Sequence, residues 1–169
     1  AGHRPRTCRI SGQVVGAAGE PVGGAHVYLM KDARRSGGGS ARSEADGRFE
    51  MERLSSKHYY GLGAQDRTNA GRLEIGETVK PFYLSPGAHR EGEVIRIGGA
   101  LLASGWIHLE DGRPVEGRPV LVRAVSDERD ILRTVGVSSA ADGTWTIYGR
   151  TAKWRDGAEI EVCVDLNAR

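Results

Sequence analysis

One phrase is written twice in this chain. Residues 10–29 run ISGQVVGAAGEPVGGAHVYL and are followed, after a loop, by EADGRF at 44–49; residues 103–122 run ASGWIHLEDGRPVEGRPVLV and are followed by AADGTW at 140–145. Gly12 and Gly105, Pro21 and Pro114, and Gly24 and Gly117 are each 93 residues apart, and the Asp46-Gly47 and Asp142-Gly143 pairs are 96 apart. The second copy therefore carries three more residues in its middle loop. A chain of 169 residues built on such a repeat divides into two small units, and the expected boundaries are a lead segment over 1–9, a first unit over 10–98 and a second over 99–169. Gly98-Gly99 opens the joint between them.

Period-two alternation of apolar residues, punctuated by Gly, Pro, Asn and Asp, predicts strands near 8–15, 25–31, 48–53, 59–65, 79–84 and 93–97 in the first copy. In the second they fall near 101–109, 118–125, 131–137, 144–149 and 158–166. No window carries a 3.6-residue stripe with caps, so the chain reads as all-β. Val27, Leu29, Val120 and Val122 are expected to point inward, with Phe49 and Trp145 as the large core side chains two residues after their turns. ARRSGGGSAR at 33–42 reads as a loop by composition.

The residues Gly12-x-Val14, Gly19-x-Pro21-Val22, Gly24-Ala25-x-Val27 and Asp46-Gly47-x-Phe49 resemble the carboxypeptidase regulatory-like domain. That family is a transthyretin-like module, similar to the B-type repeats of collagen adhesins. Tyr59-Tyr60-Gly61-Leu62 and the Ser85-Pro86-Gly87 turn followed by Glu93–Ile97 continue the likeness. In the second copy it is carried by Gly105, Gly112, Pro114-Val115, Gly117, Val120 and Asp142-Gly143-x-Trp145, while Arg118 and Pro119 depart from the small-residue pattern. The resemblance implies two tandem immunoglobulin-like, transthyretin-like Greek-key β-sandwiches. It implies no shared chemistry, because such modules are joined to many unrelated proteins.

The reactive relatives of this architecture leave no signature here. Intradiol dioxygenases bind iron through two Tyr and two His, whereas His58-Tyr59-Tyr60 are adjacent and so alternate across a strand. Hydroxyisourate hydrolases end in Tyr-Arg-Gly-Ser; this chain ends in Val-Asp-Leu-Asn-Ala-Arg. Adhesin repeats cross-link a first-strand Lys to a last-strand Asn, and neither first strand here contains Lys. No His-x-His, Cys-x-x-Cys or calcium-type loop occurs, and Gly37-Gly38-Gly39 lacks the Gly-Lys-Ser/Thr of a phosphate loop. No catalytic residue, cofactor or metal is expected.

A net charge of +2 with both signs interspersed argues against nucleic acid as a partner. No run of about 18 apolar residues is present to insert in a membrane. A chain that opens on Ala without a leader reads as a piece matured or cut from a longer parent. The expected role is thus a non-catalytic structural or protein-interaction module of an exported, periplasmic or cell-surface bacterial protein, whose partner is another protein or the remainder of the parent chain. The alternative is an accessory carbohydrate- or peptide-binding module using exposed aromatics. Trp154, Tyr59 and Tyr83 are the leading ligand-binding candidates, with Trp106 and Tyr148 beside them. Cys8 and Cys163 form an even pair that an oxidising compartment would permit to bridge.

Overall fold

A computed structural model describes residues 7–31, 34–56, 58–78, 80–125, 131–150 and 159–164. Among these the chain is all strand and turn. The strands are β1 (Cys8–Val15), β2 (His26–Lys31), β3 (Arg34–Arg42), β4 (Arg48–Leu54), β5 (His58–Asp66), β6 (Arg72–Glu77), β7 (Phe82–Leu84) and β8 (His89–Arg96). They continue with β9 (Leu101–Trp106), β10 (Pro119–Val125), β11 (Ile131–Ser138), β12 (Thr144–Arg150) and β13 (Glu159–Val164). The Gly/Ser-rich segment expected as a loop is a strand, β3, laid antiparallel on β2 from His26↔Arg42 to Lys31↔Arg34. Its neighbour's backbone supplies the ladder that its composition does not advertise, and a Cβ at Gly39 would stand 2.5 Å from a Leu54 methyl.

Two compact units result: residues 1–66 with 76–97, and residues 67–75 with 98–169. In the first, β4-β1-β8 form one sheet, while β3-β2-β5 are neighbours in another, with β7 paired to β5. Ile10, Val14, Ile95 and Ile97 from one side and Val27, Leu29, Tyr60 and Leu62 from the other meet in a single core. In the second, β11-β10-β13 oppose β6-β12-β9. Val120, Val122 and Val137 there pack with Trp145, Ile147, Leu73 and Ile75. The inward residues expected from the repeat are all buried: Val27, Leu29, Val120 and Val122 fully, Phe49 and Trp145 nearly so.

The repeat is reproduced bond for bond. The Val14 amide donates to the Gly47 carbonyl at 2.8 Å, as that of Ile107 does to Gly143 at 2.9 Å. Gly47 and Gly143 turn at φ of 80° and 79°, and a Cβ on either would strike the carbonyl it faces, Val14 O or Ile107 O. Ser43 and Ser139, which the sequence pattern did not single out, are buried polar side chains, one in each unit. The Ser43 hydroxyl donates to Val22 O at 2.7 Å and accepts from the Ala25 amide at 2.9 Å. Ser139 does the same with Val115 O (2.6 Å) and the Arg118 amide (3.0 Å). Each hydroxyl thus satisfies one donor and one acceptor of the backbone crossing that precedes β2 or β10.

The segment 67–75 lies inside the first copy of the repeat yet packs with the second unit. Its strand β6 presents Leu73 and Ile75, both fully buried, to that unit's core. The Gly71 carbonyl receives the Thr146 amide at 2.7 Å. The period-two pattern of Leu73 and Ile75 was available in the sequence, but nothing local says which core it fills.

Leu73→Ala should therefore destabilise the second unit by about 2–5 kcal/mol, the usual cost of a buried leucine truncation. Hydrogen exchange should accelerate in β10 and β12; faster exchange confined to β1 and β2 would contradict this. Ser43→Ala and Ser139→Ala should each cost about 1–3 kcal/mol in urea unfolding, Ser43→Ala the more, because its hydroxyl serves the buried Ala25 amide whereas the partners of Ser139 are part-buried.

Candidate functional site

Tyr59 and Tyr83 come together on the first unit. β7 runs antiparallel to β5 with Tyr59 opposite Tyr83, flanked by His58↔Leu84 and Tyr60↔Phe82. Alternation on both strands sends Tyr60, Phe82 and Leu84 into the core and the two tyrosines outward. Their rings lie 5.2 Å apart at 57°, and they are 63% and 47% exposed. This is a cross-strand aromatic pair with both side chains exposed. Trp154 lies outside the described residues.

The adjacent His58-Tyr59-Tyr60 do not converge on one point. Tyr60 is buried with its ring edge-on to His58 at 5.9 Å, and burial, with the neighbouring Cys8, holds its phenol above the ordinary tyrosine range. Among the described residues there is no cluster of three or more His, Cys, Asp or Glu side chains placed to hold a metal.

On the second unit Trp106 is 68% exposed and lies beside His108, the rings 6.0 Å apart at 38°. Tyr148 is half-buried under the Arg72 guanidinium, 4.4 Å from its ring centre, so a structural cation–π contact occupies that face. Asp142 begins the turn before β12, where its carboxylate accepts from both the hydroxyl (2.6 Å) and the amide (2.9 Å) of Thr144. Those bonds lower its pKa below the usual carboxylate value. The stabilisation they carry is accordingly present above the unfolded-state pKa and lost as pH falls through the folded one.

A depression of about 620 Å³ is lined by Ser11, Gly12 and Gln13 of β1, by Arg48, Phe49 and Glu50 of β4, by Glu91, Gly92, Glu93 and Val94 of β8, and by Glu44. Arg9 bridges Glu50 and Glu52 beside it, and Arg90 pairs with Glu93 at 2.5 Å. The sequence pattern did not reveal this grouping, because β1 and β8 are some 80 residues apart and pair in parallel, Gly12↔Glu93 and Val14↔Ile95. The sequence signal that could have located it is the Glu91/Glu93 alternation ahead of Ile95 and Ile97.

Cys8 and Cys163 are both free thiols. Cys8 is buried in the first core and its thiol donates to the Ser85 carbonyl at 3.1 Å. Cys163 is exposed on β13 opposite Leu121. Among the described residues no helix is long and apolar enough to cross a membrane.

No family model matches the chain, and no curated protein matches it. Solved structures do. A DUF3823 family protein from Parabacteroides merdae is 14% identical over 95% of this chain and 92% of its own, with a TM-score of 0.40. The TIE protein of Bacillus anthracis is 11% identical over 84% of this chain, which spans 25% of that protein, with a TM-score of 0.31.

In the native, unreduced protein, an alkylating reagent should label Cys163 rapidly and Cys8 only on unfolding, giving two adducts by mass without reductant. One or no adduct after unfolding without reductant would contradict free thiols.

Proposed function

We propose that this chain is a non-catalytic protein-interaction module of an exported or cell-surface bacterial protein, built from two carboxypeptidase-regulatory-like sandwich units. The observation that carries the reading is the Tyr59–Tyr83 pair. Two large rings, fixed by strand pairing and left open, supply apolar contact area with little entropy left to lose on binding. The repeated turns, buried serines and core side chains explain the doubled phrase as architecture, so they leave no duplicated constellation to act on a substrate. Placement in the periplasm or on the cell surface follows the same reading, as does a protein partner, whether a separate protein or the remainder of a longer parent chain.

A second reading, an accessory module for carbohydrate or peptide, uses the same rings. The 57° tilt between them makes a shallow aromatic angle in which a sugar face could stack. It is distinguished by ligand rather than by site.

The double variant Tyr59→Ala/Tyr83→Ala should bind the partner captured from the envelope of the source bacterium roughly 5–30-fold more weakly, the loss of about 1–2 kcal/mol typical of exposed aromatic anchors. Its melting should shift little, since an exposed cross-strand pair contributes only about 0.2–1 kcal/mol. Unchanged affinity would sink the assignment of this surface. A glycan-array signal that disappears in the variant would favour the carbohydrate reading.

A further inference from the structure

The chain builds one surface motif twice: an arginine laid on an aromatic ring and held by a carboxylate. In the first unit the Arg90 guanidinium lies 4.3 Å from the centre of the Phe82 ring, with its Nε on Glu93 at 2.5 Å. In the second, Arg72 lies 4.4 Å from the Tyr148 ring centre and donates to Glu74 through Nε (2.9 Å) and a terminal nitrogen (2.5 Å). The ring attracts the cation through its electron-rich face, and the carboxylate fixes the planar guanidinium in place. The second unit holds another ring and carboxylate side by side, Trp106 and Asp142. Among the described residues, neither carries an arginine.

The repeat supplies the comparison, because the same corner of the first unit is self-contained. There Gln13, opposite Arg48 on β4, donates from Nε2 to the Asp46 carbonyl at 2.8 Å, and Arg48 reaches the Asp46 carboxylate at 3.4 Å. Asp142 matches Asp46 in the second unit, but Gln13 is replaced by Trp106, Val15 by His108 and Arg48 by Thr144. Trp106 lies opposite Thr144 as Gln13 lies opposite Arg48, so the indole leaves β9 on the face that carries Thr144. The Thr144 hydroxyl donates to Asp142 Oδ1 at 2.6 Å, and Oδ2 takes no bond among the described residues. Those bonds keep the carboxylate ionised by lowering its pKa. Trp106 is 68% exposed and Asp142 is exposed beside it, with His108 bordering the indole at 6.0 Å. Diagonal neighbours across a strand pair sit about 7–8 Å apart, within the span of one stacked guanidinium and its hydrogen bond.

We propose that Trp106 and Asp142 receive an arginine side chain presented by a partner protein, the guanidinium stacking on the indole and donating to Asp142 Oδ2. The first unit displays the chemistry of the occupant, because its own Arg48 guanidinium stands on the matching carboxylate. Arg72 and Arg90 display the geometry, each joining one ring to one carboxylate. Charge points the same way: a neutral sugar offers the indole a face but leaves the carboxylate unmatched, whereas a cation satisfies both. Shape favours arginine over lysine, since a planar guanidinium stacks through its face while its edge donates, and an ammonium has no such face. The proposal rests on reading the chain as an interaction module but uses residues other than the tyrosine pair, so the two can fail separately.

The probe is the capped tripeptide acetyl-glycyl-arginyl-glycinamide, titrated at constant ionic strength into the full 169-residue chain and followed by nitrogen-15 NMR. Saturable shifts are expected at the Trp106 indole N–H and the Thr144 amide, with a Kd on the order of 10 mM, the scale of one exposed cation–π contact and one ion pair. The matching amides of the first unit, Gly47 and Arg48, should stay still. Neutral citrulline in place of the peptide's arginine should weaken binding roughly threefold or more, as should Asp142→Asn, which keeps the acceptor for Thr144. Thr144→Arg, which gives the second unit the first unit's own guanidinium, should do the same, while Tyr59→Ala/Tyr83→Ala should bind as the parent does. The proposal is overturned if the citrulline peptide binds equally, if Asp142→Asn or Thr144→Arg binds as the parent does, or if the tyrosine variant loses binding. It is equally overturned if methyl β-glucoside moves the same resonances at lower concentration than the peptide, or if about 100 mM peptide, tenfold above the expected Kd, moves neither.

Discussion

A β-sheet with one apolar face has to be covered, and that constraint organises everything else in this protein. Val27 and Leu29 in one unit, and Val120 and Val122 in the other, are sent to the same side of their strands by the pleat. Each fully buried aliphatic side chain is worth about 1.5–3 kcal/mol only if something lies across from it. In the first unit the cover is complete: β1, β4 and β8 contribute Ile10, Phe49, Met51 and Ile95. In the second, Trp145 and Ile147 of β12 lie across from it and β6 adds Leu73 and Ile75.

The same constraint separates scaffold from surface. Backbone polar groups at the crossing before β2 and β10 lie partly or wholly out of solvent, and a buried serine hydroxyl accompanies each crossing. Exposed aromatic area, by contrast, does nothing for the core. Tyr59 and Tyr83 alternate with buried Tyr60, Phe82 and Leu84, and the pleat alone turns them outward. Exposed aromatic surface therefore arises where alternation leaves side chains outside the core.

Much of the fold was legible because the governing interactions are local. An Asp-Gly pair ahead of Phe49 or Trp145, and Gly-x-Pro ahead of Val27 or Val120, encode turn geometry and inward direction within a few residues. What was not legible lies in long-range pairing. β3 was hidden because Gly and Ser carry little strand preference and its order comes from β2. The depression beside Gly12 and Glu93 was hidden because it needs β1 and β8 in parallel register. The Tyr59–Tyr83 meeting was half visible: both residues stood out as exposed aromatics, but only the β5–β7 register makes them a pair.

By itself, then, the amino-acid sequence determined an all-β chain in which one phrase is written twice, the turns of that phrase, and the inward side chains that follow them. Those properties follow from backbone conformational preference and two-residue periodicity, which act over a few positions. Only the tertiary structure decided that 67–75 packs with the second unit, that Cys8 is buried while Cys163 is exposed, and that β1 and β8 pair in parallel. These are outcomes of which strand lies beside which. A strand's hydrogen-bonding edge is the same whatever its sequence, so its neighbour is chosen by the core as a whole.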